Sequence, residues 1–393
     1  MLRVLTLSSL FPDATRPNFG VFVERQTIGL AAHRGVDLRV VAPVGLPPWP
    51  LRRFGHYAAL AQLPAREDWK GMDTWRPRFV TLAATGGRYH VGALVRRLIP
   101  LLTAIRQDFA FDVIDAEFFF PDGPAAVALG RHFNVPVSIK ARGADIHHWG
   151  SGPTAGQVRA AGRAADGLLA VSDAMRADMV AIGMAPDKIK VHRTGVDTTR
   201  FVPVDRPLGQ RALGVLGPLV VSVGGLIARK GHDIVIEAMA ALPGATLLIA
   251  GEGRERPRLA AKIAKLGLAD RVRLLGAVPH VDIPALIAAA DVMALASSSE
   301  GLANVWVEAL ACGTPLVIPG VGGATEVLTD PCYGRLAART PDAFAEAINE
   351  LIAHPRPQAA VRRGAERFSW EANATALYDH LRGLVDRSAT ADQ

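Results

Sequence analysis

The sequence predicts an α/β protein of two tandem domains, each a doubly wound parallel sheet, and three observations carry that prediction. At 393 residues the chain exceeds what one ordinary hydrophobic core organises, so two domains of roughly 150 to 200 residues are expected. Short apolar runs alternate with longer stretches of helical spacing, the pattern of parallel strands joined by crossover helices. The alternation breaks once, at the Pro/Gly-punctuated segment Phe201–Pro218, and then restarts. The expected divisions are a first domain over 1–203, a linker over 204–217, a second domain over 218–369 and a terminal helix over 370–388 that crosses back to the first. Two such domains would face each other across a cleft at the carboxyl ends of their strands.

Taken in order, RVLTLSSL near the start reads as a strand, its apolar run too short and its small-residue cleavage pattern missing for a signal peptide. GVFVERQTIGLAAHRG has helical spacing and VDLRVVAP is a second strand. The stretch from Trp49 to Phe79 holds three of the six tryptophans and no regular period, and is expected to be an inserted helical region or a mobile flap. FDVIDAEF, VPVSIKA, GLLAVS and KIKVHRTG follow as strands, with PAAVALGRHFN as a helix among them. Beyond the break, LVVSVGGL, ATLLIAGEG, RVRLLGAV, DVMALASS and TPLVIPG are strands, and GHDIVIEAMAAL and RPRLAAKIAKLG are helices.

Hydrophobic residues make up 50% and charged residues 21%, which describes a globular chain and not a disordered one. A net charge of +7 favours anionic partners: phosphates, an acidic membrane surface or nucleic acid. Aromatic residues are few and neither zinc-finger spacing nor a Lys/Arg block is present, so nucleic acid is not expected. The two cysteines, Cys312 and Cys332, make neither a disulfide framework nor a metal site, in keeping with a reducing cytoplasm. The longest uncharged stretch, Ala212 to Ala228, contains four glycines and Pro218 and falls short of a membrane span.

The segment SSSEGLANVWVEALACGTPLVIPG, Ser297 to Gly320, is almost wholly apolar yet carries Glu300 and Glu308. An unpartnered carboxylate removed from water costs roughly 2 kcal/mol or more, so both acids need partners. A helix from about Ala303 to Gly313 would be apolar on every side except at Glu308. Its N-terminus, at Glu300, Gly301, Leu302, Ala303 and Asn304, offers free backbone N–H groups and the positive end of the helix dipole to an anionic ligand. The structural alternative pairs Glu308 with a core arginine and leaves Glu300 a solvated loop acid.

This segment resembles the E-x7-E motif of the retaining nucleotide-sugar glycosyltransferases of family 4, proteins of GT-B architecture with two Rossmann-like domains. The resemblance runs along most of the chain, through FPDATRPNFGVFVERQTIGLAAHRGVDLRVVAP, RTGVDTTRF, VGGLIARKGHDIVIEAMA, LLIAGEG, RVRLLGAV and FSWEANATALYDHL. It implies that the first domain takes the acceptor and the second the nucleotide-diphosphate sugar. Glu308 would accept from the ribose hydroxyls and Glu300 from hydroxyls of the transferred sugar, since ionised carboxylates are acceptors only. Lys230, with Arg229 beside it, would meet the diphosphate, whose charge grows as the glycosidic bond breaks. Gly20 and Gly253 are counted on the donor side as members of the same ordered set.

The chain departs from the family pattern at three places. Gly225 stands where an arginine is common, so Arg229 would be the second cation. Arg142 stands where an H-G-x-D-like turn has histidine, while Asp145 is retained; a guanidinium is no base at neutral pH, so Arg142 would stabilise charge or bind an anionic sugar or acceptor phosphate. His147 and His148 are nearby alternatives. Glu117, in DAEFFFPDG, stands where many relatives carry histidine. Glu117 and Asp145 are expected on the acceptor side; Glu300, Lys230 and Arg142 are expected to act in catalysis.

The resemblance implies transfer with retention, in which the departing diphosphate helps deprotonate the acceptor hydroxyl. No Asp-x-Asp metal motif is present, and neither a metal nor a cofactor beyond the sugar-nucleotide co-substrate is expected. The acceptor is expected to be a glycan or a lipid-linked molecule of polysaccharide or envelope assembly, reached by a cytoplasmic enzyme that visits an anionic membrane through Trp49, Arg52, Arg53, Phe54, Trp69 and Trp75. Competing readings are a sugar-nucleotide epimerase or phosphorylase on the same architecture, and a Rossmann dehydrogenase or silent sugar-nucleotide binder. Against the dehydrogenase, LSSLFPDATRPNFG after the first strand lacks G-x-G-x-x-G.

Overall fold

The computed structural model describes residues 1–82, 85–143 and 145–391, the side chain of residue 391 excepted. The chain divides into two compact units, Met1–Thr194 together with the C-terminal segment from Trp370, and Gly195–Ser369.

The first unit is built on an eight-stranded sheet. Its strands are β1 (Leu2–Leu7), β2 (Val36–Val41), β4 (Arg66–Trp69), β5 (Met72–Trp75), β7 (Val113–Ala116), β8 (Val137–Ala141), β9 (Gly167–Ala170) and β10 (Ile189–Val191); β3 (Val44–Leu46) and β6 (Arg78–Val80) pair separately. The order is β10-β9-β8-β7-β1-β2-β5-β4, parallel except for the β4–β5 hairpin. Buried β1, β7, β8 and β9 are nearly continuous apolar runs because helices cover both faces of a doubly wound sheet. The terminal helix Trp370–Ala391 completes this unit, Leu377 and Leu381 joining Leu2, Val4, Leu30 and Val113 in one core cluster.

The irregular stretch after Trp49 contains a helix, His56–Gln62, and the hairpin of β4 and β5. Lys70 and Gly71 turn it with φ of 55° and 83°, the doubly left-handed geometry of a two-residue hairpin. The hairpin extends the main sheet through β5 beside β2, and the Trp69 indole donates to buried Glu24 at 2.5 Å. Trp69 and Trp75 are therefore folded into the unit, while Trp49, Leu51 and Phe54 stay exposed beside Arg52 and Arg53.

The second unit holds β11 (Leu219–Val223), β12 (Thr246–Ala250), β13 (Val272–Gly276), β14 (Val292–Ala294), β15 (Leu316–Ile318) and β16 (Gly334–Leu336), all parallel, in the order β13-β12-β11-β14-β15-β16. Its core gathers Val220, Leu247, Ile249, Val292 and Val317 from the strands with Val235, Leu259 and Phe344 from the helices. The segment expected to be a linker carries a helix instead, Arg206–Ala212, capped by the Asp205 side chain accepting from the Leu208 N–H at 2.8 Å with Pro207 in the first turn. The division between units falls at Thr194, before the expected boundary at 203.

Candidate functional site

In the second sheet the strand order reverses direction between β11 and β14, and a crevice opens at such a switch point beyond the carboxyl ends of the strands. From β11 the chain runs through Gly224 and Gly225 and the short turn Ala228–Lys230 into the helix His232–Ala238. From β14 it runs through 295–303 into the helix Asn304–Ala311. The two connections are bonded to each other. Lys230 Nζ donates to Glu300 Oε1 at 2.5 Å, Arg229 Nη1 reaches Glu300 Oε2 at 3.3 Å and the Ser299 carbonyl, and the Ser298 N–H donates to the Arg229 carbonyl at 2.8 Å.

Glu300 is only 9% exposed. Burial raises its pKa, but the Lys230 charge and hydrogen bond, the Ser297 hydroxyl and Arg229 together outweigh that and hold the carboxyl below its ordinary value. It is thus an ionised acceptor at neutral pH and no solvated loop acid. Arg229 is the second cation beside it, as Gly225 cannot be. The turn under Lys230 is tied to the neighbouring strand, the Gly224 N–H donating to Ala250 O at 3.0 Å and the Leu226 N–H to Glu252 O at 2.8 Å; Gly253 packs against the Leu226 carbonyl.

Past Glu300, Gly301 O accepts from the Gly323 N–H at 2.7 Å, Leu302 and Ala303 are buried, and Asn304 opens the helix after an extended Ala303. The helix ends at Ala311, and Gly313 follows at φ 73°. Trp306, Val307, Ala309 and Leu310 are buried, and Glu308 lies 3.5 Å from His280 Nε2. His280 is thus one neighbour of the Glu308 carboxylate, and an arginine stands behind it, Arg200 Nη2 donating to the His280 ring and to its carbonyl at 2.6 Å. Sequence reasoning missed His280 and Arg200. The available signal was that VPHVD follows the carboxyl end of β13, at the same edge of the sheet.

The first sheet has its own switch point between β1 and β7. Gly20 begins the helix Val21–Ala31 at φ 74°, where a Cβ would lie 2.4 Å from the Leu10 carbonyl, so glycine is required there by a contact with the chain itself. Buried Asp122 accepts from Ser9 N–H at 2.7 Å and Ser9 Oγ at 3.0 Å, and burial raises its pKa to about 7.

The two departures Glu117 and Arg142, far apart in sequence, are paired with each other. Arg142 Nη2 donates to Glu117 Oε2, Arg142 Nε donates to the Glu117 carbonyl at 2.7 Å, and the guanidinium stacks 5.0 Å above the Phe22 ring. Gln26 bridges onward, donating to Glu117 Oε1 and accepting from Lys140; Lys140 Nζ lies 2.6 Å from His192 Nδ1, and His192 Nε2 donates to the Asn373 carbonyl at 2.8 Å. Burial, with Arg142 next in size, lowers Lys140 to about 7, and burial with the Glu117 charge raises Asp115 well above the carboxylate range. Asp145 is buried and accepts from the N–H groups of Arg142, Gly143 and Phe119, so it holds the turn that carries Arg142. His147 and His148 are exposed, and His147 Nε2 sits 2.8 Å from Asp178.

Two parallel-sheet units, one with a cation–carboxylate cluster at its switch point beside a buried helix N-terminus, define the GT-B class of nucleotide-sugar enzymes. The family model for Glycosyltransferase Family 4 matches residues 20–200 and that for Glycosyl transferases group 1 matches residues 213–368. The chain belongs to this glycosyltransferase family. It is 36% identical over 236 residues to the D-inositol 3-phosphate glycosyltransferase of Mycobacterium tuberculosis, a match covering 56% of this chain and 49% of that one. The chain thus spans about half the length of the curated relatives it matches. Its fold is similar to sucrose-phosphate synthase from Thermosynechococcus elongatus, with a TM-score of 0.81 and 21% identity over 98% of this chain and 100% of that one. It is also similar to Anabaena HepE in complex with UDP, with a TM-score of 0.73 and 22% identity over 98% of this chain and 100% of that one.

Proposed function

We propose that the protein is a retaining, metal-independent hexosyltransferase that moves a sugar from a nucleotide-diphosphate sugar to a hydroxyl of a glycan or lipid-linked acceptor. The observation that carries the reading is the Lys230–Glu300–Arg229 cluster at the β11/β14 switch point, next to the helix that bears Glu308. Structural neighbours holding UDP and UDP-glucose, and the glycosyltransferase names of the curated relatives, support it.

On binding, the diphosphate takes up Lys230 and Arg229 and frees the Glu300 oxygens for the sugar hydroxyls. Glu300 thus keeps two cations in place until the donor arrives, so little reorganisation is left for the reaction. As the glycosidic bond breaks, the pair of electrons goes to the diphosphate oxygen and the two cations meet the growing charge. The acceptor oxygen forms its bond to the anomeric carbon on the face the diphosphate leaves, and the leaving diphosphate takes the acceptor's proton, so the anomeric configuration is unchanged. Glu308 accepts from the ribose hydroxyls, with His280 and Arg200 behind it. On the acceptor side, Arg142, braced by Glu117, donates to an oxyanion of the acceptor. The exposed tip Trp49–Phe54, with Arg53 5.9 Å from the Trp49 ring, is the proposed contact with an anionic membrane at the cytoplasmic face.

The test is product analysis. Incubation with a panel of nucleotide-sugars and envelope glycan or lipid extracts should release one nucleoside diphosphate per sugar transferred, and proton NMR of the product should show the donor's anomeric configuration. An inverted product would remove the retaining mechanism, and donor turnover to an epimer without transfer would replace the reading.

A further inference from the structure

The first unit carries a composite cavity that the proposed transfer does not use. An apolar groove of about 390 Å³ runs along the helix Asp122–Phe133, lined there by Pro124, Val127 and Ala128 and walled by Val91 on one side and Ala161 and Ala164 on the other. A second pocket, about 200 Å³, shares Val127, Arg131 and Ala164 with the groove and is polar, adding Asn134, Asp166 and Ser388. The shared residues set the two cavities side by side, the apolar groove next to the polar pocket, and the groove by itself is in the size range of small-molecule sites, roughly 300 to 1,000 Å³.

Its charges complete the picture. Arg131 stands where the two cavities join and Arg88 on the groove wall; both are exposed, and neither has a carboxylate partner among the described residues. Asp166 spends one oxygen on the Val137 N–H at 2.8 Å. Gln157 donates to the Arg88 carbonyl at 3.0 Å, while its Oε1, buried against the groove, has no donor. A ligand matching these groups has an apolar chain, one negative charge and hydroxyl donors.

We propose that this site binds a single-chain anionic phospholipid with a hydroxylated head, its chain in the groove, its phosphate on Arg131 and a head-group hydroxyl donating to Asp166. The inference stands apart from the donor chemistry, and its test needs no donor. Lysophosphatidylglycerol, kept below its critical micelle concentration, is titrated into the full chain by calorimetry. One molecule per chain should bind saturably. Arg131→Gln should weaken binding about tenfold, the usual scale for a charge-assisted contact, and Ala128→Leu should do so by filling the groove. If Ala128→Leu melts early, Ala160→Leu, at an exposed lining position, takes its place. Lysophosphatidylcholine and glycerol phosphate, which lack the hydroxylated head and the chain respectively, should both bind at least tenfold more weakly. Non-saturable uptake, unchanged affinity in both variants, or equal binding of glycerol phosphate would overturn the proposal.

Discussion

At the residue scale, the donor account rests on carboxylates whose environments differ. Glu308 is bonded through a histidine, so Glu308→Gln keeps the shape of the helix and removes only charge. It should weaken nucleotide-sugar affinity about tenfold, since a hydrogen bond to a charged group contributes on the order of 1.5–3 kcal/mol, and leave the melting temperature nearly unchanged; a variant that melts early yet binds normally makes Glu308 a structural partner. Lys230→Ala should reduce kcat by about a hundredfold and raise the donor KM far less, because the charge it meets grows toward the transition state. Steady-state kinetics with Lys230→Arg as the conservative control separates charge from shape. Asp122 bears on stability, not turnover. Its folded pKa, raised by burial to about 7, exceeds its unfolded value of 3.8, so its stabilising effect is full below pH 3.8 and is lost as pH rises through 7. Chemical denaturation across that window should show wild-type stability falling by a few kcal/mol relative to Asp122→Asn, and parallel curves for the two proteins would show that Asp122 titrates normally.

At the element scale, the strands and helices with a clear hydrophobic period were legible, and the polar ones were not. Continuous apolar runs marked β1, β7, β8, β9 and β11 through β15, and the helix at Asn304–Ala311 was readable because Gly313 ends it. The β4–β5 hairpin escaped because REDWKGMDTW alternates charged with aromatic residues and turns at Lys-Gly, a weaker signal than Asn-Gly or Asp-Gly. Glu300, Lys230 and Arg229, each singled out in the sequence, meet in the structure because the connections after β11 and β14 adjoin at the switch point. The Glu117–Arg142–Gln26–Lys140–His192 network was not, since its members come from three strand ends and a helix that only the sheet order assembles. The terminal helix is tested by Leu381→Ala. Leu381 is fully buried against the sheet, and its truncation should cost about 2–5 kcal/mol in urea denaturation. A loss below 1 kcal/mol would mean the helix is dispensable to the unit.

At the scale of the whole molecule, the chain has two units, each with a doubly wound sheet and a switch point, and a surplus of positive charge, +7. No helix among the described residues is long and apolar enough to cross a membrane. If the Trp49–Phe54 tip meets an anionic surface, co-sedimentation with phosphatidylglycerol vesicles should occur at low salt, fade at high salt as screening shortens to a few ångströms, and weaken in Arg52→Gln/Arg53→Gln; binding indifferent to lipid charge points to a soluble acceptor. The central claim is narrower: a nucleotide-diphosphate sugar binds at the β11/β14 switch point through Lys230, Glu300 and Glu308. Calorimetric titration of a panel of nucleotide-sugars into the wild type, Lys230→Ala and Glu308→Gln tests it most directly. The account predicts one saturable site for at least one nucleotide-sugar, displaced by its nucleoside diphosphate and weakened about tenfold in each variant; binding of none of them, or equal binding in all three proteins, would contradict it.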